Sequence, residues 1–147
     1  MSDLLCFRAF ENIYGLPLDM VIESFDEQKV TPVPCLNHLF TGLCNHNGVI
    51  YPVLSFSKLC DQNIPDARCC MLLLNVEGIR LILRMNDVPA IIYEKDMDKY
   101  IPYDSGHGRM KINRIAQKGD LFIYQIDMKP ILDELSKTII ELDPAGE

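Results

Sequence analysis

Six cysteines (Cys6, Cys35, Cys44, Cys60, Cys69, Cys70) and three histidines (His38, His46, His107) are the side chains with which this chain could bind a soft metal or attack an electrophile. A structural zinc site needs four such ligands in tetrahedral array. No Cys-x-x-Cys pair occurs, and Cys44 with His46 offers only two ligands. A nucleophilic dyad of His46 with Cys44 or Cys35, oriented by Asp19 or Glu23, would rest on a spatial geometry that sequence spacing does not encode. Cys6, Cys44, Cys69 and Cys70 lie inside apolar runs, where a thiol behaves as a small hydrophobe. The segment Ser105-Gly106-His107-Gly108 follows a charged stretch and precedes no helical pattern, so it is no phosphate-cradling loop. The residues therefore predict no catalytic site, no metal and no cofactor. A small thiol-dependent enzyme or redox sensor stands as an alternative, and it would require accessible thiols of lowered pKa.

With chemistry set aside, composition bounds the remaining functions. A chain of 147 residues fits one domain with a sizeable core. A net charge of −7 and the absence of a Lys/Arg cluster disfavour nucleic acid, whose phosphates demand a basic face. No apolar run reaches the 18 or so residues that cross a bilayer. The start, Met1-Ser2-Asp3-Leu4-Leu5-Cys6, lacks a basic region ahead of an apolar core. The expectation is a cytoplasmic protein with reduced thiols and no membrane insertion.

The elements read as short strands separated by turns. Asp3–Ala9 and Ile13–Leu16 flank a turn at Glu11-Asn12, and a helical turn over 18–21 precedes a strand over 22–25. A proline-bearing loop over 26–37 leads to the apolar segment Phe40–Cys44 and to a hairpin whose arms are 43–45 and 49–54. Its Asn47-Gly48 turn tolerates the positive φ that tight hairpins demand. A helical turn over 56–60 and a linker over 62–66 follow. Residues 69–76 form a continuous apolar run, the mark of a buried strand. The turn Glu77-Gly78 joins it to 79–85; Pro89 weakens a strand over 87–93. Residues 94–108, charged and without period, read as a surface loop, and 109–117 and 121–126 as a last hairpin. Met128, Ile131, Leu132 and Leu135 recur at helical spacing behind Asp127 as N-cap, so a helix ending before Pro144 closes the chain. The sum is an all-β barrel or sandwich, one domain over 1–147 in two lobes with a break near 61–67.

Specific segments carry a family resemblance. Tyr14-Gly15-Leu16-Pro17-Leu18 with Val21 and Glu23 resembles the motif YxLPlxxVxEh. Pro32 and Pro34, then Gly42-Leu43-Cys44-Asn45-His46-Asn47-Gly48 and Pro52-Val53, resemble TPVP, GhhNLRG and PVhDL. Leu81-Ile82-Leu83 with Asn86-Asp87-Val88 is similar to GlhVDxV, and 121–127 with Ile131-Leu132 to hhhLLDhxxLL. These motifs, spread over nearly the whole chain, are those of CheW-like domains, the adaptors of bacterial and archaeal chemotaxis.

The resemblance implies two interleaved lobes, SH3-like five-stranded β-barrels sharing a hydrophobic core. It implies an adaptor that scaffolds a CheA-type histidine kinase, through its regulatory domain, to the cytoplasmic tip of chemoreceptors. Leu39, Phe40 and Thr41 would then form an apolar face for the kinase. Val21, Glu23, Gly42, Asn47 and Gly48 would meet the receptor helix at the groove between lobes. Asn47 stands where the family turn carries Arg, and Ser55 and Asn86 stand where it carries Asp. If the family's Arg and the Asp of PVhDL pair, Asn47 and Ser55 together leave neither charge alone. The same departures fit an adaptor or decoy for a non-chemotactic kinase that lacks receptor coupling.

Overall fold

Alternate residues along the apolar runs face two different cores, and this alternation organises the molecule. The computed structural model describes residues 3–34, 39–62 and 69–134. Among these, the strands are β1 (Leu4–Ala9), β2 (Asn12–Pro17), β3 (Val21–Asp26), β4 (Phe40–His46), β5 (Val49–Ser55), β6 (Cys70–Val76), β7 (Ile79–Met85), β8 (Ala90–Ile92), β9 (Lys99–His107), β10 (Met110–Lys118) and β11 (Leu121–Asp127). They form a six-stranded sheet in the order β8-β1-β2-β11-β10-β9 and a five-stranded sheet in the order β3-β6-β7-β5-β4. The protein is thus mostly β in two lobes, and the six-stranded lobe gains its extra strand from β8 at the edge of β1.

In β6, Met71 and Leu73 point into a small core with Cys44, Tyr51, Val53 and Ile82. Their neighbours Leu72, Leu74 and Val76 point the other way, into a larger core that also takes Leu5, Phe7, Tyr14 and Leu16 from the other sheet. Strand β1 divides likewise: Leu4 and Cys6 pack with Ala116 and Ile123, while Leu5 and Phe7 join the shared core. A strand buried on both faces has no polar side to show. That is why 69–74 reads as one unbroken apolar run, with the exposed Asn75 the first polar residue.

The lobes are not consecutive halves of the chain. β5 and β7, on either side of residues 61–67, pair in parallel within one sheet. The crossings between sheets fall instead at 18–20, a 3-10 turn, and at 86–89, between β7 and β8. β2 and β11, near opposite ends of the chain, also pair in parallel. Residues 63–68, which include all of the expected linker but Gln62, lie outside the described residues.

Two local expectations are corrected. The stretch 94–108 is a 3-10 turn, Glu94–Asp96, and the nine-residue β9 rather than a loop. β9 is an edge strand with no fully buried residue, so it has no apolar period for sequence reading to find. Its β10 ladder and the Arg114 guanidinium 4.0 Å over the Tyr100 ring hold it. The strand expected over 87–93 shrinks to Ala90–Ile92, beginning just after Pro89. At the C-terminal side, residues 129–134 are helical, and Asp127 Oδ1 accepts the Lys129 N–H at 3.0 Å, the N-cap bond. Leu135 and the expected end before Pro144 lie outside the described residues. No helix among the described residues is long and apolar enough to cross a membrane.

Candidate interaction surfaces

β3 and β4 are the two edges of the five-stranded sheet, yet side chains join them. His46, at the end of β4, places Nε2 2.9 Å from Glu23 Oε2 on β3. The Phe25 ring of β3 stacks on the imidazole at 4.1 Å between centroids and 13° between planes. His46 Nδ1 lies 3.1 Å from Gln28 Oε1, and the Asn47 amide reaches the ring at 3.4 Å. His46 is 6% exposed, whereas Glu23 is 44% exposed. The sheet thus curls until its edges meet, and a histidine closes the seam. Sequence reading weighed His46 only as a ligand or nucleophile; its place here follows from topology.

The turn beside it behaves as its residue types require. Asn47 and Gly48 have φ of 53° and 86°, and the Asn45 side chain accepts the Gly48 N–H at 3.0 Å. Gly42 answers a different demand. A Cβ there would stand 2.3 Å from the Thr31 carbonyl oxygen. Thr31 and Leu43 exchange backbone hydrogen bonds at 2.8 and 2.9 Å, so Gly42 lets the proline-bearing segment lie against β4. Of the five residues expected at the receptor, Glu23, Asn47 and Gly48 share this seam. Gly42 sits one strand-half away, and Val21 packs at the margin of the shared core.

The expected kinase face is corrected by burial. Leu39 and Phe40 are 4% and 7% exposed and belong to the shared core; Thr41, at a bulge in β4, is half-buried with its hydroxyl oxygen covered. The exposed apolar residues of this lobe are instead Ile22, Val49 and Ile50, at 47%, 50% and 63%. The suggested Arg–Asp coupling also fails, because position 47 lies in the turn ahead of β5 and position 55 at the far end of that strand, which is itself roughly 20 Å long. Ser55 is buried and bonds Ser57 at 2.8 Å, and Asn86 donates to the Cys69 sulfur. Between the lobes runs a groove of about 410 Å³, lined among others by Asp19, Met20, Val76, Glu77, Asp127 and Lys129. None of the five expected receptor residues lines it.

A second network ties the six-stranded lobe to the shared core. Tyr14 Oη lies 2.7 Å from His107 Nδ1, and Tyr103 Oη 3.3 Å from His107 Nε2. Phe56 packs edge-on to both Phe7 and Tyr14 at 4.8 Å. Burial pushes the Tyr14 hydroxyl up to about 12 and the Cys60 thiol up to about 11. Burial likewise takes Cys6 to about 12 and raises Cys44 and Cys69. Thiols so placed are almost wholly protonated at neutral pH, the reverse of what a thiolate nucleophile or redox sensor needs. Cys35 and His38 lie outside the described residues. Among the described residues no three His, Cys, Asp or Glu side chains converge as a metal site.

What these sheets define is a two-lobed β protein whose features are surfaces and seams. The CheW-like domain model matches residues 3–136, through both sheets, and the chain belongs to the CheW-like domain family. It is similar to the chemotaxis protein CheW of Treponema pallidum, at 24% identity over 91% of this chain and 85% of that protein. Its fold matches the crystal structure of the scaffolding protein TtCheW from Thermoanaerobacter tengcongensis. That match has a TM-score of 0.73 and 21% identity, over 86% of this chain and 88% of that one.

Proposed function

We propose that this chain is a cytoplasmic chemotaxis adaptor, one domain over residues 1–147, that scaffolds a CheA-type histidine kinase to the tips of chemoreceptors. The observation that carries the reading is the family match through both lobes, joined to a molecule whose described residues converge on surfaces rather than on a reactive centre. Adaptors act by holding partners in one assembly, so that a shift in one biases the populations of the other. Individually weak contacts suffice when an array supplies avidity.

In this reading the seam of the five-stranded lobe meets the receptor. Glu23, Asn47 and Gly48 present the polar contacts, flanked by the exposed Ile22 and Val49, while Val21 and Gly42 position them. The kinase regulatory domain docks on the same lobe at Thr41, which the buried Leu39 and Phe40 support from beneath. An interferometric titration against the regulatory domain of a CheA-type kinase from the same organism, with and without receptor tip, tests this. Micromolar binding that the receptor tip strengthens is the expected result. Kinase binding indifferent to the tip would indicate a decoy, and no binding to either partner would overturn the adaptor reading.

A further inference from the structure

The edge strands β3 and β4 each carry a β-bulge, and the two bulges aim side chains at one another. In a regular strand Val21 and Glu23 would share a face. Here Val21 pairs with Leu74 of the shared core and Glu23 with Leu73 of the small core, so the extra residue, Ile22, moves Glu23 to the other face. On β4, Phe40 packs in the shared core, and beyond the bulge at Thr41 the alternate residues Cys44 and His46 turn toward the small core. Bulges recur where a strand must re-aim a side chain. The result is a carboxylate at the mouth of an apolar core, with His46 Nε2 2.9 Å from Glu23 Oε2. A carboxylate only accepts, so Nε2 is the donor. The donating ring has little freedom, being buried, stacked on Phe25 and 3.1 Å from Gln28 Oε1 through Nδ1. Glu23 itself is 44% exposed, and its Oε1 takes no hydrogen bond among the described residues.

We propose that His46 is a positioning residue for partner binding: it fixes one oxygen of Glu23 and leaves the other ready to accept a hydrogen bond from the docking protein. A pair so exposed on one side adds little to stability. A glutamate already held in one rotamer, however, spares the complex the entropy of ordering it. That saving corresponds to about three- to tenfold in affinity. Because a carboxylate only accepts, the partner's matching group is an N–H or O–H donor. The inference rests on the reading that this seam meets the receptor, and it assigns the residue that prepares the contact.

The test has two arms, both on the full chain. The first needs no partner, because three-bond couplings of the Glu23 β-protons report its χ1 rotamer in solution. One rotamer is expected in the parent and averaging in His46→Phe, which keeps a ring against Phe25 and removes the donor. Averaging in the parent, or a fixed rotamer that survives His46→Phe, overturns the proposal. The second arm titrates the receptor tip. His46→Phe should weaken binding about three- to tenfold, whereas in a Glu23→Gln background it should change affinity by less than about twofold. Equal losses in both backgrounds would show that His46 acts through the fold alone, and would overturn the positioning role. Where His46→Phe does not fold, Phe25→Leu replaces it, since it frees the face of the imidazole; averaged Glu23 couplings are then expected, and an unchanged rotamer counts against the proposal. If the parent does not bind the tip while His46→Phe releases a Glu23 that the parent holds in one rotamer, the receptor reading fails and the His46 clamp stands.

Discussion

Two histidines close this molecule in two different ways. His46 joins the edge strands of the five-stranded sheet and reaches out to a carboxylate that is nearly half exposed. His107 ends an edge strand of the six-stranded sheet and reaches inward to the buried phenol of Tyr14. Each has a glycine nearby where foreign backbone comes too close for a Cβ: Gly42 against Thr31, and Gly108 against Leu59 and Cys60. The fastenings are alike, but one ends in solvent and the other in the core. The first is therefore available to partners, and the second serves stability.

The largest effects should be common to both regions. Gly42→Ala and Gly108→Ala each drive a methyl to within 2.3 and 2.6 Å of a carbonyl oxygen, and each should cost about 3 kcal/mol in urea unfolding. A cost below about 1 kcal/mol at either site would mean that the neighbouring segment moves aside freely.

Alkaline pH should separate the regions next. Tyr14, Cys6 and Cys60 have folded pKa values of about 12, 12 and 11 against ordinary values of 10.0, 9.0 and 9.0. The folded state thus holds these protons after the unfolded chain has released them. Their contribution is complete below about pH 9 and is lost as pH climbs toward 12, on the order of 2 to 3 kcal/mol for Tyr14 alone. Unfolding free energies measured across that range should fall, and Cys6→Ala should flatten the slope. A flat profile in the parent would contradict the burial of these groups.

Tyr14→Phe removes the hydroxyl that faces His107 and should lower stability by about 1 to 2 kcal/mol without touching receptor binding. Glu23→Gln should do the converse. Its partner His46 is buried but Glu23 itself is well exposed, so the stability change should stay under about 1 kcal/mol, while affinity for the receptor tip drops severalfold. If Glu23→Gln unfolds the protein and Tyr14→Phe weakens receptor binding, the contrast between the two histidines is wrong.

Strand positions, the Asn47-Gly48 and Glu77-Gly78 turns, the Asp127 cap and the family were legible in the chain, because each rests on local residue type or on a short apolar period. β9 was not, since an edge strand without a buried face carries no period. Nor was the burial of Leu39 and Phe40, because apolar residues before a turn look the same whether they face a partner or the protein's own core. Interleaved lobes were expected from the resemblance, but the parallel pairings that interleave them, β2–β11 and β5–β7, were not legible in the linear order.

Local chemistry settled which segments extend, where they turn and which fold family results. Only the tertiary structure decided which side chains meet. His46 with Glu23 and Tyr14 with His107 come together because the fold brings distant strands within a few ångströms, and contact between positions far apart in sequence leaves no trace in the residues between them.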